Sequence, residues 1–325
     1  MTNTNSQMPF ENRVFGSAII KAINANYNAD FSHQPRTLPD GTVYATDKVL
    51  KYSIRNFIHC CYPEEKIFYF KSYNEDLQPR DLDETYIKQF EYFPKKEIIV
   101  KSKKGKDKTK KVFDLCCILS NLLRCIDVRL FGGTFAKQDA NLSLHGCVQI
   151  THAKNRFVEG EIYSETIGSP FRNSNEGNED AMRTTLGTQF KLQEGHYVHH
   201  FSINPGNLKE YAELASSTGI TIGDVDKLKE AMRKGVTFYD SAAKAGCENE
   251  LLLWVELKRG SMLVLPSFVE LITVNEDKEI DLEKIKVLLA KEEVKSQIDR
   301  IQVYYDKEVT KVINMPENVE ELEII

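Results

Sequence analysis

The chain has 325 residues, of which 41% are hydrophobic and 28% charged, and its formal net charge is −5. This composition is typical of a globular protein, and the length allows one large core that bears insertions. The acidic pI of about 5.9 argues against an indiscriminate nucleic-acid binder, whose pI usually exceeds about 9. No apolar run reaches the length of a membrane-spanning helix. The polar first residues lack the features of a signal peptide, so a cytoplasmic protein is expected.

The seven cysteines are an odd number, which rules out a complete set of internal disulfides. Two adjacent pairs occur, Cys60-Cys61 and Cys116-Cys117, but there is no C-x-x-C spacing. Reduced and mostly buried thiols are therefore expected.

The first elements are a flexible start over 1–12 and a strand over 13–25. Both alternating faces of this strand are largely apolar, which is typical of the centre of a sheet. The polar stretch that follows, 26–41, is rich in Asn, Asp, Pro and Gly and predicts a long loop.

A helix is predicted over 46–60, with Thr46 as its hydroxyl cap and Asp47 at the positive end of its dipole. Helical spacing gives it a core face of Leu50, Ile54, Phe57, Ile58 and Cys61. A second face is cationic and consists of Lys48, Lys51 and Arg55, with His59 behind them. No acid at i+4 compensates these cations, so the face is either a phosphate-binding stripe or a solvated surface.

The middle of the chain contains two predicted insertions. The first, 62–112, is mixed in character and includes the lysine-dominated segment 95–111, which is either a solvated loop or a contact to RNA. The second, 157–195, is long and polar and predicts a hairpin or protruding loop. Between them we expect a helix over 113–124, buried all round, and a core strand over 144–151.

The last third is predicted to hold a strand at 195–205, a capped helix at 224–234 and a tight pair of strands within 251–266. A late helix at 280–293, a last strand at 298–306 and an acidic tail at 316–325 follow. This order predicts an α+β fold, an antiparallel sheet with helices on one face and long insertions. No G-x-G-x-x-G follows a strand, so a doubly wound fold is not expected.

Enzymatic motifs are largely absent. The sequence has no Walker A loop, no G-x-S-x-G and no H-E-x-x-H. The adjacent His199 and His200 must point to opposite faces of a strand. The spacing of His145, Cys147 and His152 matches no standard zinc pattern. We therefore expect no cofactor, no metal and no catalytic site.

Three asparagines, Asn24, Asn26 and Asn28, lie close to the end of the first strand. Their amides have two possible roles: they bond to bases or sugars, or they cap turns.

The order of segments resembles the backbone subunit of type I CRISPR Cascade complexes, in its type I-B-like form. The matching segments are NYNADFSHQPR (26–36), LKYSIR (50–55), DVRLFGG (127–133), GCVQ (146–149), LGTQFKLQEGHYVHHFSINP (186–205) and LKEAMRKGVTFYDSAAKAG (228–246). The resemblance as a whole spans roughly 13–260. Two departures occur: the first loop lacks the usual Pro-Asn-Gly-Asp, and Tyr52 stands where the family often has a basic residue.

The resemblance implies a ferredoxin-like, RNA-recognition-motif-type core over 13–325 with a thumb-like insertion at 157–195. It implies an RNA-binding set of Asn24, Asn26, Asn28, Arg36, Lys48, Lys51, Arg55, Arg129 and Gln149. Within the thumb it suggests Phe171, Arg172 and Met182 as wedge or backbone contacts. The implied partners are the guide RNA, the target DNA strand, further copies head to tail, other Cascade subunits, and a nuclease-helicase or transposition proteins; no membrane is involved. Contacts from each copy sum along one RNA, so an acidic protomer with one basic groove suffices.

Two alternatives remain. One is a type III-like backbone subunit that cleaves target RNA with an acid of the first loop, for which Asp30 is the candidate. The other is an RNA-recognition-type protein outside CRISPR, which predicts stacking aromatic residues on the sheet face.

Overall fold

The computed structural model describes residues 4–100, 108–172 and 183–325. Its strands are β1 (Val14–Ala25), β2 (Tyr44–Ala45), β3 (Lys95–Val100), β4 (Lys108–Phe113), β5 (Gly132–Lys137), β6 (Ala140–His145), β7 (Val148–Ile150), β8 (Ala153–Asn155), β9 (Ile162–Arg172), β10 (Arg183–Ile203), β11 (Cys247–Leu257), β12 (Thr273–Val274), β13 (Ile280–Asp281), β14 (Ile298–Tyr305), β15 (Val312–Ile313) and β16 (Val319–Leu322). Its α-helices are α1 (Asp47–Cys61), α2 (Leu82–Phe90), α3 (Leu115–Leu123), α4 (Ile126–Phe131), α5 (Lys209–Ala215), α6 (Ile222–Lys234), α7 (Glu283–Leu289) and α8 (Glu292–Lys295).

The main sheet of the described residues has nine strands, in the order β16-β14-β11-β1-β10-β8-β2, with β7 and β9 also paired to β10. Strand β1 lies near its centre, antiparallel to β10 on one side and β11 on the other. The predicted central strand is therefore confirmed. Its run of apolar residues is explained because both of its faces are buried.

Each face of the sheet supports its own hydrophobic core. Ala18, Ile20 and Ala22 of β1 pack with α1, α3 and α6, whereas Phe15 and Ile19 pack with residues of α7 and α8. The α+β class is thus confirmed, but the expectation that helices cover one face is wrong. The two short C-terminal helices cover the other face, because β1 and β11 are apolar on that side too.

Helix α1 follows the predicted spacing, and its four aliphatic and aromatic core positions, Leu50, Ile54, Phe57 and Ile58, are buried. Two details differ. Cys61 is exposed at the last turn. Thr46 occupies the cap position, but its hydroxyl makes no capping bond; it donates to Asn28 Oδ1 over 3.0 Å instead.

Helix α6 has a capping box, in which Thr221 and Asp224 exchange side-chain and backbone hydrogen bonds. Helix α3 is buried on one face only, since Cys116 and Cys117 at its start are exposed. All seven thiols are free, yet the expectation of mostly buried thiols is wrong because four of them are exposed.

The C-terminal third contains one long strand where a tight strand pair was expected. Strand β11 ends at Leu257, and residues 261–266 have no regular structure. The partners of β11 are instead β1 and β14. The tail predicted to be only acidic contributes β16, parallel to β14 at the sheet edge.

The N-terminal segment is tied down at residues 8–10. Phe10 N–H donates to the Ile220 carbonyl over 3.0 Å, and Ile222 N–H donates to the Met8 carbonyl over 2.9 Å. Residues 95–100 and 108–111 of the lysine-dominated segment lie in β3 and β4, which pair antiparallel. In both segments, the residues named here are more ordered than the sequence pattern led us to expect.

Strands β9 and β10 form a hairpin that projects past the sheet. Leu192 is the last β10 residue paired to β1, opposite Ala25. Residues 183–191 pair only with β9. At about 3.3 Å per residue, this arm extends roughly 30 Å beyond the end of β1.

Candidate nucleic-acid interface

The carboxyl end of β1 brings three segments together: residues 24–48, the turn 241–246 and the base of the β9–β10 hairpin. We call this place the junction. The Lys244 ammonium donates to the carbonyls of Asn26 and Tyr27, and Asn26 Nδ2 donates to the Phe190 carbonyl over 3.3 Å. Burial lowers the pKa of Lys244. This lysine therefore fastens the loop to the turn.

The three asparagines of the junction have different surroundings. Asn28 is used internally, because its Oδ1 accepts from Thr46 N–H over 2.8 Å. Asn26 is buried, and its Oδ1 has no hydrogen-bond partner in the described chain. Asn24 is exposed in a left-handed backbone conformation with φ 49°, and its Oδ1 accepts from the Tyr163 hydroxyl over 3.0 Å. Asn24 thus links β1 to the hairpin and faces solvent.

The apex of the first loop is a tight turn held by Asp30. Its carboxylate accepts from Ser32 N–H and Ser32 Oγ, both at 2.8 Å, and from Gln34 N–H at 3.0 Å. The Ser32 hydroxyl bond is the largest influence that lowers the pKa of Asp30, and the Arg36 guanidinium adds to it. Arg36 is half-buried, with an Nε that has no hydrogen-bond partner in the described chain.

The three predicted cations of α1 differ in how they are paired. Lys48 is exposed and makes no ion pair with any residue that the structure describes. Lys51 is mostly buried and pairs with Asp47, one turn earlier, over 2.8 Å. The sequence pattern shows no acid four residues after Lys51, but Asp47 lies four residues before it and neutralises it. Of the three cations, Lys48 is the one available to a phosphate.

Arg55 belongs to the fold rather than to an open groove. Its Nε donates to Asp127 Oδ2 over 3.1 Å, and the carboxylate of Asp127 is 1% exposed. The same carboxylate accepts the backbone N–H groups of Phe68 and Tyr69 over 2.8 and 2.9 Å. Removal of Arg55 would leave a buried charge, so the expectation that this is a free surface residue is wrong.

Arg129 and Gln149 lie at the opposite end of the sheet from the junction. Arg129 forms a two-bonded pair with Asp224, at 2.6 and 2.9 Å, and lies 3.8 Å from Glu65. Gln149 is exposed on β7, which pairs with β10 near the amino end of β1; its Nε2 donates to Gly146 O over 3.1 Å. The structure therefore does not bring these two residues to the junction. In the DVRLFGG segment, Arg129 pairs with Asp224 and Glu65.

Two of the three thumb candidates have a described backbone. The backbone of Phe171 and Arg172 is in the last two positions of β9. Met182 lies outside the described residues.

Sequence reasoning missed two residues of the junction, Lys244 and Phe31. The Phe31 side chain is fully exposed, at 100%. Its signal was a lone aromatic within the polar run NADFSHQ. Lys244 gave no signal, because its partners Asn26 and Tyr27 are more than 200 residues away in sequence.

No group of three or more His, Cys, Asp or Glu side chains that could hold a metal ion occurs in the described part of the chain. Nor does that part contain a helix long and apolar enough to cross a membrane.

Comparison with solved structures defines the fold class. The chain resembles one described as "CRISPR RNA-guided surveillance complex, pre-nicking", with a TM-score of 0.55, 12% identity and 96% of each chain covered. A second, "CRISPR RNA-guided surveillance complex", has a TM-score of 0.49 and 13% identity, with 93% of this chain and 95% of the other covered. The first of these two matches shows that the fold occurs in a protein of a CRISPR surveillance complex. Residues 12–302 match the family model "CRISPR-associated protein Cas7", so the chain belongs to the Cas7 family. No curated protein matches it.

Proposed function

We propose that this chain is the guide-RNA-binding backbone subunit of a type I CRISPR effector complex, and that the junction is its RNA-binding surface. Family membership over 12–302 is the observation that carries the function. Copies assemble along the guide together with other subunits of the complex, and the bound guide pairs with the target DNA strand.

The core of this subunit is ferredoxin-like. A βαββαβ unit is supported by β1, α1, β8, β10, α6 and β11, taken in chain order. Their strands stand in the sheet as β11-β1-β10-β8, so the first and third strands of the unit are its centre. Helices α1 and α6 pack on the same face. The remaining elements are decorations of this unit within a single domain over 13–325.

The guide RNA crosses the junction beside the base of the hairpin. Lys48 contributes an unpaired cation, Asn24 an exposed amide, and Arg36 a half-buried guanidinium. Contacts to phosphate and sugar suit a guide whose sequence varies. The β9–β10 arm is the thumb, and it separates guide and target strands at intervals through residues near its tip, including Phe171, Arg172 and Met182.

The subunit binds RNA without cutting it. The one acid predicted for cleavage, Asp30, holds the loop through its Oδ1, which accepts three hydrogen bonds from Ser32 and Gln34. A carboxylate in this arrangement stabilises a turn. The type III-like cleaving alternative is therefore less well supported than the binding function.

The finer assignments follow the sequence resemblance. We infer a type I-B-like system, a cytoplasmic location, and a downstream effector that is either a nuclease-helicase or a transposition machinery.

Binding and cleavage are tested together on unrelated single-stranded RNAs of guide length. The protein should bind each RNA with similar affinity, and the affinity should fall steeply with salt because phosphate contacts release counterions. All RNAs should remain intact with and without magnesium. A strong preference for one sequence would contradict the backbone role, and cleavage products that vanish in Asp30→Ala would favour the cleaving alternative.

A further inference from the structure

The apex of the first loop presents one aromatic ring entirely to solvent. Phe31 is 100% exposed, more than any other large hydrophobic residue whose exposure the structure describes. A side chain of this size contributes roughly 2 kcal/mol when it is buried. A ring left wholly in water can therefore gain free energy when a ligand covers it.

The backbone beneath this ring is held in place. Asp30 N–H donates to the Gln34 carbonyl over 2.8 Å, and His33 N–H donates to the Asp30 carbonyl over 3.2 Å. The Asp30 carboxylate accepts three further bonds from the same turn. Ala29 and Pro35 then pair as an antiparallel bridge below it. Little backbone entropy is left to lose when a ligand meets Phe31.

The surroundings of Phe31 do not resemble a protein interface. Its neighbours in the turn are Asp30, Ser32, His33 and Gln34, all polar, and the last three are exposed. A protein partner would require an apolar patch with a polar rim, because interface anchors cluster in desolvated pockets. A single flat ring among polar groups suits a nucleobase, which stacks on an aromatic face and keeps its edges hydrated or paired.

We propose that Phe31 is a stacking platform for one nucleobase of the strand bound at the junction. This inference rests on the proposed function and adds a contact to the base that the cations cannot supply. Stacking is tolerant of sequence because every base has a π-face, so the contact is compatible with a variable guide. Each copy in an assembly would contribute one such contact, at the spacing of the subunits.

Tryptophan fluorescence of the full chain tests the stacking directly. The natural chain has one tryptophan, Trp254, which is fully buried. Phe31→Trp places a second indole at the apex. Addition of guide-length single-stranded RNA should reduce the emission of the new indole several-fold. The emission of Trp254 in the natural chain should change little. Met262→Trp is the matched control, since Met262 is 82% exposed and lies in the segment after β11, away from the junction.

Abasic substitutions identify the strand. If the stacked base belongs to the guide, abasic RNA sites should relieve the quenching at a regular spacing. If it belongs to the target, quenching should appear only after complementary DNA is added and should be relieved by abasic sites in that DNA. Either pattern supports the platform. Absence of quenching with RNA and with the RNA–DNA hybrid overturns it.

Affinity measurements separate this inference from the proposed function. Phe31→Ala should weaken binding of the stacked strand by about 5- to 100-fold, as expected for loss of one base stack, and should leave the salt dependence unchanged. Binding that is unchanged in Phe31→Ala but still salt-dependent removes the platform and leaves the RNA-binding role intact. Self-association without RNA that is lost in Phe31→Ala would show a protein contact instead and would also overturn the proposal.

Discussion

The two ends of the central strand β1 use the same kinds of residue in opposite ways. At the carboxyl end, Lys48 is exposed and unpaired among the described residues, and Asn24 faces solvent beside the hairpin. At the amino end, Arg129 is 13% exposed and closed off by Asp224 and Glu65. The difference teaches that a cation stays available to a ligand only where no carboxylate of the fold pairs with it.

The largest effect is expected from loss of the ion pair at the amino end of β1. Arg129→Ala should lower the free energy of unfolding by about 3–5 kcal/mol, because it leaves the buried carboxylate of Asp224 without its partner. Chemical denaturation measures this change. The control Lys48→Ala should stay within about 0.5 kcal/mol of the natural chain. A fully stable Arg129→Ala that binds RNA weakly would reverse our assignment of the two ends.

A second test uses the buried histidines of β10, the strand that joins the two ends. Burial lowers the pKa of His199 and of His200 to about 4, from an ordinary value near 6.5. Below about pH 6.5 these histidines bind protons in the unfolded chain but not in the folded chain. Their contribution to folding stability is therefore fully present above that pH and is lost as the pH falls towards 4.

Between pH 7.5 and 5, each histidine should account for a loss of about 1–2 kcal/mol. His200 lies against Phe15 and Phe268, so a phenylalanine should fill the same space. The variant His200→Phe should therefore lose less stability between the two pH values, by the contribution of one histidine. The free energy of unfolding is measured at both pH values. An equal loss of stability in the natural chain and in His200→Phe would contradict the prediction.

A smaller effect is expected from the bond that positions the first loop. Asn28→Ala removes the acceptor of Thr46 N–H and should cost about 1 kcal/mol. Asn28→Asp keeps an acceptor oxygen and should retain most of that stability. Thermal unfolding of the two variants compares them, and equal losses would mean that the bond does not hold the loop to α1.

Sequence predicted those parts of the fold that depend on local pattern. The buried face of α1 follows from the spacing of Leu50, Ile54 and Ile58, and β1 follows from its apolar run. The roles of Arg55 and Arg129 could not be read in this way. Their carboxylate partners, Asp127 and Asp224, are 72 and 95 residues away.

The candidate site shows the same limit. The spacing on α1 places three cations near one another, but pairing in three dimensions decides which of them stays free. Asp47 neutralises Lys51 locally, and Asp127 neutralises Arg55 from a distant segment. Lys48 remains because neither acid pairs with it. The colinear order of motifs predicted the family correctly, since order survives changes in individual contacts.

The salt dependence of RNA binding in Lys48→Ala tests the central claim most directly. Lys209→Ala is the matched control, because Lys209 is also an exposed lysine at the start of a helix and makes no ion pair in the described chain, but it follows the opposite end of β10. Loss of one phosphate contact should make the slope of log K against log salt shallower by about 0.7 for a single strand. We predict this change in Lys48→Ala and no change in Lys209→Ala. Equal slopes in both variants and the natural chain would contradict the junction as the RNA-binding surface.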